Sequence, residues 1–359
     1  MVITRWFSNE VLAEIIQNAP TSDQATLCRV SKLFYALALP ALNRTVVLDT
    51  DPTGREAFKV FCTAMMENPE RADAVRSLTC KIHDDFTIRF NAQELLTESL
   101  RIMRRLEHLE IQDLTMHVVF LPGVTGLDFP NLSSCTFTSM ASAWKSHIEM
   151  FLSRHPTITH LGLWLARGQG LAAPEGALLP KLQCYRGSAR LFFGFSKPNL
   201  AFVQTGWGPE TPSLIQELSP QTTPSLARLS IHCMSAWEIS EAIIHLSNHA
   251  SHLQNLKLHC WDCYITELMV NDITACLPRF NRLAYLVFDY WVDEDGRLPT
   301  GVADDRVALE SWTNSSSTLK GCSFGAMACM KVGQKWEKCS PEEIDAESGF
   351  EPEGYVIGV

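Results

Sequence analysis

The sequence predicts an α/β chain in which a row of short strands, each returned by a helix or a loop, follows a small all-α unit. Three observations predict it. One apolar phrase recurs ten times along the chain, several segments between copies carry helical periodicity, and the first forty or so residues hold helical patterns but no copy of the phrase. The boundaries implied are 1–41 for the helical unit, 42–330 for the repeats and 331–359 for an acidic tail.

In the helical unit, Val11, Leu12, Ile15 and Ile16 recur at the spacing of one helical face, while Glu10, Glu14 and Gln17 take the other. Pro20 ends that helix. Thr21-Ser22-Asp23-Gln24 has the form of a capping box and predicts a second helix with Leu27, Cys28 and Val30 on its apolar side. Ser31 predicts the cap of a third, bearing Leu33, Phe34, Leu37 and Ala38 and stopping near Pro40. About forty residues cannot bury this much apolar surface alone, so the unit needs the rest of the chain or another protein against it.

The recurring phrase is an apolar residue, two variable ones, an apolar residue, one variable and another apolar residue. Clear copies begin at Val75, Leu106, Leu132, Ile158, Leu226, Leu253, Leu283 and Leu319, with weaker ones at Leu179 and Leu200. First positions are separated by 31, 26, 26, 21, 21, 26, 27, 30 and 36 residues. These intervals lie near the roughly 20 to 29 residues of a leucine-rich repeat, which predicts an α/β leucine-rich-repeat solenoid, or horseshoe. Stacking has a plain cause: one strand and one return cannot bury their own apolar sides, whereas neighbours in a row share a core. Residues 92–103, 144–152 and 237–246 predict helical returns; 165–180, with Gly and Pro, predict an irregular one.

A formal charge of −10 and the lack of any Lys/Arg run argue against nucleic acid as the main partner. With 46% hydrophobic and 19% charged residues the chain is an ordinary folded one. No run of about eighteen apolar residues predicts a membrane span, and MVITRWFSNEV lacks the apolar core of a secretion signal. The expectation is a cytoplasmic or nuclear protein whose twelve cysteines are reduced core thiols.

The chain resembles the F-box proteins with leucine-rich repeats, in particular the fungal set. The residues that carry the resemblance are Phe7, Glu10, Val11, Leu12, Ile15 and Ile16, then Pro20, Leu27, Val30, Ser31, Lys32, Phe34 and Leu37, with Pro40 and the following LNRTVVL as the exit into a first strand. Phe7-Ser8 replaces the usual opening Leu-Pro pair, and Gln24-Ala25 stands where Asp-Leu is common. The resemblance implies a non-catalytic substrate receptor of a Skp-cullin-F-box ubiquitin ligase. Its helical box would dock on the Skp adaptor and through it on a cullin, and its repeats would hold an unidentified protein substrate for ubiquitin-dependent degradation. Val11, Leu12, Ile15, Leu27, Val30 and Phe34 would then serve the adaptor interface and the helical core together. The alternative is a repeat scaffold in which those residues only pack on the first repeat and cap the array.

Strand residues alternate between two faces. With Leu229, Ile231 and Cys233 inward, His232 points outward, and the same register sends out His259 and Trp261, then Asp289 and Trp291. Lys81, Gln112, Thr138, Trp164 and Tyr185 hold the row position of His232 in earlier copies. Neighbouring strands about 4.8 Å apart would bring His232, His259 and Asp289 into a ladder beside tryptophans. The expected substrate surface is therefore Trp164, His232, His259, Trp261, Asp289 and Trp291, the aromatic residues acting as anchors. The competing expectation is that a loop or the carboxyl tail covers them.

Catalytic patterns fail on inspection. Gly321-Cys-Ser-Phe-Gly325 has the form of a nucleophile elbow at Ser323, but that arrangement wants a later histidine and the last in the chain is His259. His259-Cys260-Trp-Asp-Cys263 is a lone half-site for zinc. The sequence predicts neither enzyme activity nor a cofactor or metal site. Residues 337–359 carry seven acids against Lys338 and are expected to solvate or cap the array.

Overall fold

The computed structural model describes residues 7–51, 53–83, 92–113, 123–124, 126–140, 145–165, 179–192, 199–260, 266–290, 305–325 and 327–350. Among them are thirteen strands and thirteen α-helices, a mixed α/β chain divided into two compact units, Met1–Leu179 and Pro180–Val359.

The first unit opens with α1 (Asn9–Gln17), α2 (Thr21–Leu27) and α3 (Lys32–Leu42). It continues with β1 (Thr45–Asp49), α4 (Arg55–Glu67), α5 (Pro69–Ala74), β2 (Ser77–Ile82), α6 (Ala92–Ile102), β3 (His108–Asp113), β4 (Ser134–Met140), α7 (Lys145–Arg154) and β5 (His160–Leu165). Its five strands pair in chain order, all parallel. In α1 the inward pair is Leu12 and Ile16, four residues apart and buried, so Val11 and Ile15 are left exposed.

One cap differs from expectation. Pro20, not Thr21, is the N-cap of α2, and no side chain caps it. Gln24 instead turns back, and its Nε2 donates to the carbonyls of Ile16 (3.1 Å) and Ala19 (2.9 Å), so it satisfies acceptors at the end of α1 rather than donors at the start of α2. Ser31 caps α3 as expected, accepting from Phe34 N–H at 3.2 Å. That helix runs through Pro40 to Leu42. In the last turn a proline forfeits one backbone bond, to Ala36, and Asn43 closes the end by donating to the Leu39 carbonyl at 2.7 Å.

The second unit contains β6 (Cys184–Gly187), α8 (Ala189–Phe192), β7 (Phe202–Gly206), α9 (Thr211–Glu217), β8 (Arg228–Cys233), α10 (Ala236–His249), β9 (Asn255–Cys260), α11 (Glu267–Cys276), β10 (Tyr285–Tyr290), α12 (Asp305–Ser315) and β11 (Gly321–Phe324). It ends with a hairpin of β12 (Met327–Val332) and β13 (Lys335–Cys339), then α13 (Pro341–Ser348). Strands β6 to β11 pair in chain order and parallel; β11, β12 and β13 pair antiparallel. The segment read as an acidic tail thus includes the second hairpin strand and a helix.

Nine of the ten phrases lead into a strand that begins at their third residue, and one backbone device marks them. The carbonyl at the second position accepts from two consecutive N–H groups of the next copy: Arg76 from Glu107 and His108, Glu107 from Ser133 and Ser134, Ala227 from Gln254 and Asn255, and Gln254 from Ala284 and Tyr285. The weak copy at Leu179 is displaced. Gln183 is the carbonyl that accepts from Ala201 and Phe202, and Tyr185 pairs with Val203. The phrase therefore starts at Leu182, and Tyr185 is an inward, fully buried residue rather than an outward one. Residues 166–178, within the return expected to be irregular, lie outside the described residues.

The inward strand residues meet the helices in both units. Phe137 of β4 packs edge-on against Phe151 of α7 (5.4 Å between ring centres), and Trp312 of α12 against Phe324 of β11 (5.2 Å). Buried Cys62, Cys80, Cys135, Cys233 and Cys322 are free thiols whose pKa burial pushes up, that of Cys62 to about 11, which makes them core material rather than nucleophiles.

Candidate functional site

The outward face of the second unit is built from three rows of side chains set by strand register. One runs Phe202, Arg228, Asn255, Tyr285; the next Gln204, Ser230, Lys257, Val287, Ser323; the third Gly206, His232, His259, Asp289. The third is the ladder that alternation predicted. His232 and His259 stack nearly parallel, with ring centres 4.5 Å apart and planes 3° from parallel. The Gln204 amide nitrogen lies 2.8 Å from His232 Nε2, and His259 Nδ1 lies 3.7 Å from Asp289 Oδ2. Both histidines are buried, so they are wedged between neighbours rather than displayed.

The middle row centres on Lys257, whose side chain is only 4% exposed. A buried ammonium requires partners, and here two carboxylates supply them. Asp289 Oδ2 lies 3.3 Å from Nζ, and the two oxygens of Asp345 lie at 3.2 and 3.3 Å. Burial pushes the Asp345 carboxyl above its ordinary value, and the Lys257 ammonium opposes that rise.

Asp345 belongs to α13, which lies across this face. Ile344 and Phe350 join Val287 and Ala328 in a small buried cluster bordered by Phe202, Tyr285, Met330 and Cys339. Full burial of two such side chains contributes about 1.5–3 kcal/mol each. The Asn255 side-chain amide donates to the Ser348 carbonyl (2.6 Å), Arg228 donates to the Gly349 carbonyl, and Lys257 stands 5.9 Å from the Phe350 ring centre. Arg186 and Arg228 flank the Phe202 ring at 5.6 and 5.4 Å.

Of the expected substrate residues, the structure thus brings together His232, His259 and Asp289. Trp164 is half-buried in β5 of the first unit, and Trp261 and Trp291 lie outside the described residues. Sequence reasoning missed Lys257, Arg228 and Phe350. Lys257 was legible, since the same alternation that sent His259 outward sends Lys257 outward as well.

At the other end of the chain, the expected adaptor residues divide. Leu12 is buried, Leu27 and Phe34 are half-buried, Val11 is exposed, and Ile15 and Val30 are 54% and 49% exposed. Phe7 and Tyr35 are exposed beside them in sequence.

For chemistry the face offers little. Ser323 is buried in the middle row, and Cys260 is disulfide-bonded, unlike the reduced thiol expected there. Among the described residues no group of three metal-ligating side chains occurs, and no helix is long and apolar enough to cross a membrane. In comparisons with known proteins, no family model matches the chain and no curated protein matches it.

Proposed function

We propose that the chain is a non-catalytic recognition subunit of a Skp-cullin-F-box ubiquitin ligase. In this reading α1 to α3 form an F-box-like unit that docks on a Skp adaptor, and the strand copies form a leucine-rich-repeat solenoid whose outward face holds a target protein. The observation that carries the reading is the exposure of Val11 and Ile15 on α1, with Val30 after α2, around a helical unit that keeps Leu12, Ile16 and Ala38 buried. Large apolar residues left outside a capped and packed helical unit suit an interface that another protein covers.

A scaffold reading has its own support. The Arg71 guanidinium donates to the Tyr35 hydroxyl at 2.8 Å, which ties α3 to α5, the helix just ahead of the first phrase copy, as a cap would be tied.

Co-purification separates the two. Tagged full-length chain, a chain lacking residues 1–41 and the full-length I15S/V30S variant are each mixed with a Skp adaptor. Adaptor retained by the full-length chain alone supports the ligase reading. Equal retention by all three, or by none while all remain folded, overturns it in favour of the scaffold.

A further inference from the structure

The segment on the outward face of the second unit is a self-contained element. Ser340 and Glu343 form a reciprocal capping box: Ser340 N–H donates to Glu343 Oε2 at 2.7 Å, and Glu343 N–H to Ser340 Oγ at 3.3 Å. At the other end Gly349 takes the left-handed conformation (φ 69°), Phe350 N–H bonds the Asp345 carbonyl at 3.1 Å and Gly349 N–H the Ala346 carbonyl at 3.3 Å. That turn folds Phe350 back towards Phe202, 6.2 Å between ring centres. Start, stop and anchor are therefore all encoded within eleven residues, SPEEIDAESGF.

What receives it reads as a peptide site. Arg228, Asn255 and Lys257 each present a donor, two of them to carbonyls at the helix C-terminus, where the macrodipole favours positive charge, and one to a side-chain carboxylate. Glu342, Glu343, Asp345 and Glu347 give the segment the charge opposite to that of Arg186, Arg228 and Lys257. With the segment in place Lys257 is almost wholly covered, its ammonium held between Asp289 of the neighbouring strand and Asp345 of the segment.

We propose that Ser340–Phe350 is a tethered occupant of a peptide groove formed by Phe202, Arg228, Asn255, Lys257, Tyr285 and Val287. The groove accepts in its place a short acidic helical segment of another protein, with an aliphatic-Asp pair followed five residues later by an aromatic. The proposal rests on the reading of the outward face as the target-binding surface. Tethering sets a local concentration in the millimolar range, so the segment acts as a built-in competitor that a target has to displace.

The test is fluorescence anisotropy with labelled SPEEIDAESGF peptide. It uses the intact chain, a chain with a specific protease site between Cys339 and Ser340 cleaved after folding, and the full-length I344D/F350D variant. Hydrogen exchange in β8 to β10 reports folding. The expected result is that the cleaved chain and I344D/F350D bind the peptide while the intact chain binds at least about tenfold more weakly. K257M in the cleaved chain, and F350A in the peptide, each weaken binding at least tenfold. Failure of the peptide to enter the cleaved chain and the folded I344D/F350D variant overturns the proposal, as does equal binding to the intact chain. Loss of exchange protection in β8 to β10 on cleavage also overturns it, because the segment is then core and not ligand. No adaptor enters this measurement, so peptide binding and adaptor capture succeed or fail independently.

Discussion

The two units use the same alternation and end with different surfaces. On the middle outward row of the first unit Val47 is exposed, Thr79, Glu110 and Thr136 stay half-buried and Gly162 is buried; on the corresponding row of the second, Gln204 is half-buried and Ser230, Lys257, Val287 and Ser323 are buried. Alternation decides which side a residue faces, whereas its exposure depends on what lies above it. In the second unit α13 and Phe350 lie above it, and they turn a sheet surface into a second small core.

The largest expected effects treat the units alike, because inward packing is the same in both. Phe137→Ala and Phe288→Ala should each cost about 3–5 kcal/mol, as buried aromatic deletions do. Urea denaturation measures both. If one costs much less than the other, the inward cores are not equivalent and the contrast between outward faces loses its control.

The outward row should then separate the units. Ile344→Ala empties the cluster above Val287 and Ala328 and should cost about 2 kcal/mol, limited by the freedom of the segment to lift away instead of leaving a cavity. Thr136→Ala, at the equivalent row in the first unit, should fall within about 0.5 kcal/mol of wild type. Equal costs in the same denaturation assay would show that the two faces are covered alike. Lys257→Met comes next. It keeps the stem but removes the ammonium from Asp289 and Asp345, both partly exposed, so about 1–2 kcal/mol is expected, read as a lower urea midpoint.

How much of this was legible follows from which forces act locally. The strands were legible because the phrase records inward residues, and those that bury their side chains against the helices are nearly all apolar. The row of His232, His259 and Asp289 was legible by the same period of two. The misplaced copy at Leu179 was not, because Leu179, Leu182 and Tyr185 are all buried three residues apart and either pair satisfies the phrase; only the pairing of Tyr185 with Val203 decides. Gln24 was misread since a glutamine three residues after a threonine fits a cap, and nothing local reveals that its amide reaches back to α1. The cover by α13 was legible only as the competing expectation that the carboxyl tail lies over the outward residues, not as a helix with these contacts. Its capping box and Gly349 stand in the sequence, yet the contacts of Ile344 and Asp345 join residues far apart in the chain, and acidic composition alone points to solvent.

The smallest expected effect sharpens the contrast through a histidine on the inward side of the first unit. His155 is buried, its Nδ1 2.7 Å from the Phe151 carbonyl and its Nε2 accepting from Phe129 N–H at 2.9 Å. Those two bonds fix the neutral tautomer with its proton on Nδ1, since a second proton on Nε2 would face another donor. Burial pushes the pKa of His155 down. The Phe151 carbonyl and Asp128, 3.8 Å from Nε2, act the other way without reversing it. A depressed folded value means that native and unfolded chains bind the same protons well above pH 6.5, while below it the unfolded chain gains one the native chain refuses. Stability should therefore fall between pH 7 and pH 6 on account of this group, by at most about 0.7 kcal/mol, the limit set by the unfolded value alone. His155→Gln can keep both hydrogen bonds without titrating. Urea-dependent proteolysis of the 127–163 region at the two pH values should show that decrement in wild type and its loss in H155Q. The same decrement in both chains would place the pH sensitivity elsewhere and leave His155 as packing alone.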